Sequence, residues 1–343
     1  MRLRRTRNPH SSGRIALLLA FTLVLGLALA LARPAAGPES VWTGVGRIVA
    51  IGDLHGGYSQ FVHLLQATEL VNGDNTWIGG NAHLVQMGDV MDRGDRAKDI
   101  FDLIRRLEKE AEAAGGRVHM LIGNHEELNL IHRSLQYADF VSQKQFFDFL
   151  PQNIRIAEEA RNGGRLNWDQ WKDIIDNEEF VAKAYYDGFR DTYGYWIAEH
   201  NVVIQINDTV FVHGGLTESY AAMGVQAVND LYRSEIGPGL RGKDISRPRI
   251  VFQADGPLWN RRLADTDESA EHHASIDRIL GSLKAARIVV AHTPNNFHGR
   301  EDEMKRYGGK IWVIDTGIGL GGRVWAIVIE NGDVKVQKGG GAP

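Results

Sequence analysis

The sequence predicts an α/β fold with partly parallel sheets. Short apolar runs rich in valine and isoleucine recur along the chain, and each ends in glycine or in a polar cluster holding Asp, Asn or His. Segments with helical spacing of apolar residues fill the gaps between them. Short apolar runs bounded by turn signals fit buried strands, and strands alternating with helices imply parallel pairing.

In chain order, Met1 to Arg14 carries Arg2, Arg4, Arg5, Arg7 and Arg14 and no acid, and Ile15 to Ala32 is apolar or small apart from Thr22 and Gly26. This is the pattern of a secretory signal over 1–32, with Ala30-Leu31-Ala32 as a small-x-small cleavage site. The rival reading is an uncleaved membrane anchor, since spanning a bilayer takes roughly 17–25 apolar residues. Either way the rest of the chain is expected outside the cytoplasm, periplasmic or secreted, and a membrane is a partner only through this segment. Residues 33–46, with Pro34 and Pro38, read as a linker, and 47–330 as the main folded domain.

The runs Arg47–Ile51, Leu84–Met87 and Val118–Ile122 are expected strands. They end respectively in Asp53-Leu54-His55-Gly56, in Gly88-Asp89 and in Gly123-Asn124-His125-Glu126. Later runs end in His213-Gly214-Gly215, Ala291-His292-Thr293 and Asp315-Thr316-Gly317. Phe61, Leu64 and Leu65, then Ile100, Phe101, Ile104 and Leu107, then Ile276, Ile279, Leu280 and Leu283 take helical spacing. Residues 127–200 hold many aromatics with helical tendency and few strand signals. They read as a mostly helical insertion: a cap near the site, or an outer layer burying its own aromatics. Residues 331–343 read as a C-terminal tail.

Composition narrows the chemistry. The 343 residues are 43% hydrophobic and 24% charged with a net charge of -4, an ordinary globular profile with no basic stripe for nucleic acid. With no cysteine in the chain, disulfides, thiolate zinc sites and cysteine nucleophiles are excluded.

Ligands of open α/β sheets gather beyond the carboxyl ends of strands, where every polar cluster above sits. Gly88 to Asp95 alone packs three aspartates and an arginine behind one strand. Asp53, His55, Asp89, Asn124, His213 and His292 form an oxygen and imidazole set without sulfur, suited to manganese, iron or zinc. Two cations close together need an anionic bridge, and Asp89 is the expected bridge. Asp53 and His55 would complete one metal, and Asn124, His213 and His292 the other.

These motifs, Asp-x-His-Gly, Gly-Asp-x-x-Asp-Arg-Gly, Gly-Asn-His-Glu, His-Gly-Gly and Ala-His-Thr, resemble those of calcineurin-type metallophosphoesterases. The second resembles the phosphoprotein phosphatase branch. Gly256-Pro257-Leu258-Trp259-Asn260-Arg261 and Asp315-Thr316-Gly317 resemble its bacterial Shewanella-like members. The resemblance runs from Arg47 to Gly317. It implies a two-sheet β-sandwich flanked by helices, with a dinuclear centre at the sandwich edge.

Two divalent metals would bind phosphate oxygens and lower the pKa of the attacking water, so that hydroxide held by both ions attacks the ester. His125 is placed to protonate the leaving alcohol. Asp92 orients that imidazole, as the matching family aspartate does. Arg93 offers a planar fork to phosphate, and Arg261 a second, with Arg262 the fallback. The reading is a phosphatase of phosphomonoesters, on phosphoprotein Ser/Thr or Tyr or a small phosphoester. Dinucleoside polyphosphate hydrolysis and an inactive binding module on the same scaffold are the rivals.

Bland roles are expected elsewhere. Asp95 reads as a helix N-cap and Glu126 as a cap or local partner. His119 reads as structural, while His200, His272, His273 and His298 read as surface. Trp259 reads as packing, and Asp315 is left open between shaping the site and bonding a ligand histidine.

Overall fold

The structure, a computed structural model, describes residues 38–137, 139–295 and 300–339. The expected signal or anchor over 1–32, residues 33–37 of the expected linker, His298 and the last four residues lie outside the described residues. Among the described residues no helix is long and apolar enough to cross a membrane.

The strands are β1 (Val41–Trp42), β2 (Arg47–Ile51), β3 (His83–Gln86), β4 (Arg117–Met120), β5 (Val203–Ile206), β6 (Thr209–Val212), β7 (Arg287–Val290), β8 (Lys305–Arg306), β9 (Ile311–Val313), β10 (Trp325–Glu330) and β11 (Asp333–Lys338). They form two sheets, β1-β5-β6-β7-β9-β8 and β11-β10-β2-β3-β4. In the second sheet β2, β3 and β4 are mutually parallel. In the first, β6, β7 and β9 are. The expected mixed α/β fold with a two-sheet sandwich is present.

Alternation along each strand builds the layers. Ile48 and Ala50 of β2 and Val85 of β3 point between the sheets, against Ile204, Phe211, Val289 and Trp312. Val49, Ile51 and Leu84 point the other way, onto helices α1 (Tyr58–Ala67) and α2 (Ala97–Ala113) through Phe61, Leu65, Ile100 and Ile104. Each fully buried valine, leucine, isoleucine or phenylalanine among them contributes about 1.5–3 kcal/mol.

Residues 127–200 are mostly helical, as expected. α3 (Asn124–Leu130) leads into α4 (Gln143–Phe149), α5 (Gln152–Arg161), α6 (Trp168–Asn177), α7 (Glu179–Phe189), a π turn and α8 (Tyr195–Ala198). Their aromatics pack on one another: Phe146 stacks on Tyr185 at 5.4 Å and Phe149 meets Phe189 at 5.3 Å. Tyr193 docks the layer onto Phe101 of α2 at 5.1 Å. The later helices are α9 (Glu218–Met223), α10 (Val225–Leu240), α11 (Arg262–Asp265) and α12 (Ala270–Leu283).

Both ends of the main folded domain differ from expectation. Val41 and Trp42 of the expected linker pair in parallel with Gln205 and Ile206, and Ser40 donates to Gln226 at 2.7 Å. Two residues are too few to show a period, and their partner lies far along the chain. The expected tail contributes β11, antiparallel to β10 from Asp333↔Glu330 to Lys338↔Trp325. Its signal was present: Asn331 (φ 52°) and Gly332 (φ 87°) form the two-residue hairpin turn that asparagine-glycine favours. His200 is another departure, half-enclosed with Nε2 2.8 Å from Glu108 Oε1 and Nδ1 2.8 Å from the Trp196 carbonyl. Nor does Asp95 cap a helix: α2 begins after Arg96 with no side-chain cap, and Arg96 pairs with Asp99 across its first turn.

Candidate metal centre and active site

Parallel pairing puts three strand ends of each sheet at one edge of the sandwich. From β2, β3 and β4 come Asp53 and His55, then Asp89, then Asn124 and His125; from β6, β7 and β9 come His213, His292 and Asp315. The backbone turns hard at several of these points. His55, Asp89, Asp92, Arg93 and His292 all have positive φ, between 41° and 67°. Left-handed backbone at non-glycine residues is costly and clusters where surrounding structure holds a functional side chain in place. Glu126 supplies part of that hold. Its buried carboxylate accepts from the amides of Asp89 (2.8 Å), Val90 (2.9 Å), Met91 (3.3 Å) and Gly123 (2.9 Å), the local pairing role expected for it.

Asp89 lies at the centre. The ligand atoms of His55, Asp89 and His125 fall within 4.8 Å of one another, and so do those of Asp89, His213 and His292. His213 Nε2 is 3.4 Å from Asp89 Oδ1 and 3.0 Å from Asn124 Oδ1, while His55 Nε2 is 3.7 Å from Asp89 Oδ2. Asp53 sits against the second group, 3.8 Å from His213 Nδ1, and accepts from the His292 amide at 3.3 Å. The expected donors therefore meet around Asp89. His125 rather than Asp53 shares the compact group with His55.

The donor set fits divalent cations on its own chemistry. His55 Nδ1 faces the Met91 carbonyl at 3.0 Å and His213 Nδ1 the Met87 carbonyl at 2.8 Å; a neutral ring that donates there turns its Nε2 lone pair inward. At His55 that lone pair faces the Asp89 carboxylate, acceptor against acceptor, an arrangement that a cation reconciles; at His213 burial lowers the pKa, but the Asp89 carboxylate outweighs it and raises it. The buried His292 Nε2 has no protein partner. Burial lowers the His55 pKa to about 4 and, with His213 beside it, that of His292 to about 2, so both rings are neutral ligands at ordinary pH. Burial and the nearby Asp315 and Asp89 carboxylates push Asp53 well above the usual carboxylate range, the repulsion that positive charge relieves. Asp315, left open by the sequence, belongs to this cluster. It is buried against Asp53, and its Oδ1 accepts from the Gly317 amide at 2.9 Å.

Beside the donors lies a proton-bearing pair. His125 Nδ1 is 2.8 Å from Asp92 Oδ2. Burial lowers the His125 pKa, but the Asp89 and Asp92 carboxylates outweigh it and hold the ring above its ordinary value. The two expected phosphate forks flank the cluster. Arg93 Nη2 is 3.5 Å from His125 Nε2, and its guanidinium lies over the Phe140 ring. On the His292 side Arg261 Nη1 donates to the His292 carbonyl at 2.7 Å and to Thr293 Oγ1 at 3.2 Å.

Several supports were not legible in the sequence. Glu127, fully buried, accepts from Trp259 Nε1 at 2.7 Å and from the Phe252 amide at 3.0 Å, tying the loop that carries Arg261 to α3. Trp259 thus does more than pack: its ring stands 6.1 Å from that of His292. Phe140 of the insertion lies 4.6 Å from the His125 ring, and Tyr137 stacks on Phe140 at 5.0 Å. The insertion therefore both buries its own aromatics and borders the site.

Imidazole and carboxylate groups from both sheets converge on Asp89 beside the His125–Asp92 pair and Arg93, a cluster that could hold a metal ion in a hydrolase of phosphate esters. The chain belongs to the calcineurin-like phosphoesterase family, which it matches over residues 46–307. It is 29% identical to an uncharacterised Schizosaccharomyces pombe protein over 79% of this chain and 73% of that one. To the Shewanella-like protein phosphatase 1 of Plasmodium berghei it is 26% identical, over 80% and 68% respectively. The crystal structure of the cold-active protein-tyrosine phosphatase of a psychrophilic Shewanella species shares the fold, with a TM-score of 0.65 at 24% identity over 89% of this chain and 82% of that one. The resemblance carried by the strand-end motifs is borne out.

Proposed function

We propose that this protein removes phosphate from phosphomonoesters, with phosphorylated serine, threonine or tyrosine of proteins as its substrates. The observation that carries this reading is the Asp92–His125 pair set 3.9 Å from Asp89, between the metal donors and Arg93. Asp53, His55, Asp89, Asn124, His213 and His292 would hold two divalent ions, drawn from manganese, iron and zinc. Such ions supply positive charge to phosphate oxygens and a more acidic bound water.

The chain's own residues do the rest. Arg93 and Arg261 present guanidinium forks to the phosphate from opposite sides of the cluster. His125, with Nδ1–H donated to Asp92, holds its second proton at Nε2 and gives it to the departing alcohol oxygen. Such help is typically worth about 10²–10⁴-fold for a poor leaving group. The chain has no cysteine to serve as a nucleophile.

Hydrolysis of phosphoserine peptide, phosphotyrosine peptide and diadenosine tetraphosphate, each with added manganese, tests the reading. Phosphopeptide turnover should dominate; faster turnover of diadenosine tetraphosphate would replace it with dinucleoside polyphosphate hydrolysis. Asp89→Asn should abolish p-nitrophenyl phosphate hydrolysis, with no divalent metal restoring it, and full activity in that variant would remove the metal assignment. Purified protein with neither bound divalent ion nor turnover would instead point to a binding module.

The arginine-rich start and the apolar stretch to Ala32 support export of the catalytic part. N-terminal sequencing of protein from the periplasmic fraction should begin at Arg33. An intact N-terminus in the membrane fraction would make the segment an anchor, and recovery in the cytosol would refute export.

A further inference from the structure

Asp92 is completely buried, and a buried carboxylate needs donors on both oxygens. One oxygen takes His125. The other is served from the helical insertion: Gln145 Nε2 of α4 donates to Asp92 Oδ1 at 2.6 Å, and Asn129 Nδ2 adds a longer bond at 3.2 Å. Gln145 also grips the aspartate's backbone, its Oε1 accepting from the Asp92 amide at 2.7 Å. An amide N–H demands an acceptor, so the side chain of Gln145 has one workable orientation, with its NH2 toward the carboxylate. Asp92 itself has φ 64°, a strained conformation that a two-point clamp can hold.

A second ring of bonds fixes the clamp. Tyr185 of α7 accepts from Gln145 Nε2 at 3.0 Å and donates its single O–H to Asn129 Oδ1 at 2.9 Å. Ser134 Oγ donates to the same oxygen at 2.7 Å, so Asn129 must turn its NH2 toward Asp92 and the His125 carbonyl, the latter at 2.9 Å. Every donor meets an acceptor. The helices are held in register: Phe146 stacks on Tyr185, and a Cβ at Gly188 of α7 would collide with the Phe149 carbonyl of α4.

We infer that Gln145 and Tyr185 are positioning residues, through which the helical insertion holds the Asp92–His125 pair in line to protonate the leaving group. The inference rests on the reading of His125 as proton donor. Misplacing a reacting group by about 1 Å can cost on the order of 10²-fold, and the loss falls on the step that needs the proton.

The test compares a phosphoserine peptide, whose alkoxide leaves poorly, with p-nitrophenyl phosphate, whose phenolate leaves well. Gln145→Leu should lower kcat for the peptide by about tenfold or more and for p-nitrophenyl phosphate by only about two- to threefold, with KM little changed. Tyr185→Phe, nearly isosteric, should show the same skew more weakly and keeps the test open if Gln145→Leu fails to fold. In a His125→Asn background neither change should skew the ratio further. Equal losses on both substrates in Gln145→Leu and Tyr185→Phe would reduce the network to scaffolding and overturn the inference. If His125→Asn itself shows no skew, the proton-donor reading falls first, a separate result.

Discussion

Glu127 is buried outright, yet its Oε1 has no partner, and the nearby Tyr232 hydroxyl has none either. Burial raises its pKa to about 8, although Trp259 Nε1 and the Phe252 amide pull the other way. Glu235 adds to the rise and His213 opposes it, while burial, with the charges of Glu127 and Glu126 behind it, raises Tyr232. A carboxyl whose folded pKa lies above its unfolded value binds its proton more tightly in the fold. Its cost to stability is absent below the unfolded value near 4.5, grows as pH rises, and is complete above about 8. Glu127→Gln keeps an acceptor for Trp259 and turns an NH2 toward the unpartnered side. It should unfold at higher denaturant than the parent at pH 9, by on the order of 1–3 kcal/mol, with the gap closing by pH 5. A gap independent of pH would mean that Glu127 does not titrate in this range. This residue shows where sequence reading stops. The cluster around Asp89 was legible because cation chemistry demands such side-chain types and strand ends are where such groups gather. Glu127, Asn129 and Gln145 bear no motif, and their roles come from Trp259, Tyr185 and Asp92, partners distant in sequence.

The legible elements were those with length and period. β2, β3 and β4 and the helices after β2 and β3 could be read because apolar repeats ran for several residues, whereas β1 has two residues and a partner at Gln205. β11 is the instructive miss, an alternating Asp333–Lys338 strand behind an asparagine-glycine turn. It closes a sheet edge that would otherwise be β10, Trp-Ala-Ile-Val-Ile-Glu, almost wholly buried. An unpaired apolar edge strand is a template for pairing with other chains. Ending the chain after Glu330 should therefore give soluble aggregates or oligomers on size-exclusion chromatography, and a lower melting temperature where monomer survives. Lys335→Glu, which keeps the strand and its pairing, should elute as the parent does. A monodisperse, fully stable truncation would show that β11 is dispensable to the fold.

For the molecule as a whole, the two sheets share an apolar interior, but at one edge they meet through acceptors that oppose one another. Asp89, Asn124 and His55 come from one sheet, His213 and His292 from the other. A cation bound there joins the halves, so metal occupancy and global stability should be linked. Binding to the folded state alone stabilises by about 2.7 kcal/mol when free metal is a hundredfold above its dissociation constant. For a domain of this size each kcal/mol is worth roughly 2–4 °C in melting temperature. Chelation should thus lower the melting temperature by about 5–10 °C, and manganese added back should restore it. The His292→Ala variant, which loses a donor from one sheet only, should show a smaller metal-dependent rise, and Asp89→Asn none. The assay reads unfolding rather than turnover, so it tests the centre apart from the chemistry proposed for it. A melting temperature indifferent to chelation and to both substitutions would mean that the strand ends converge without holding a metal between the sheets.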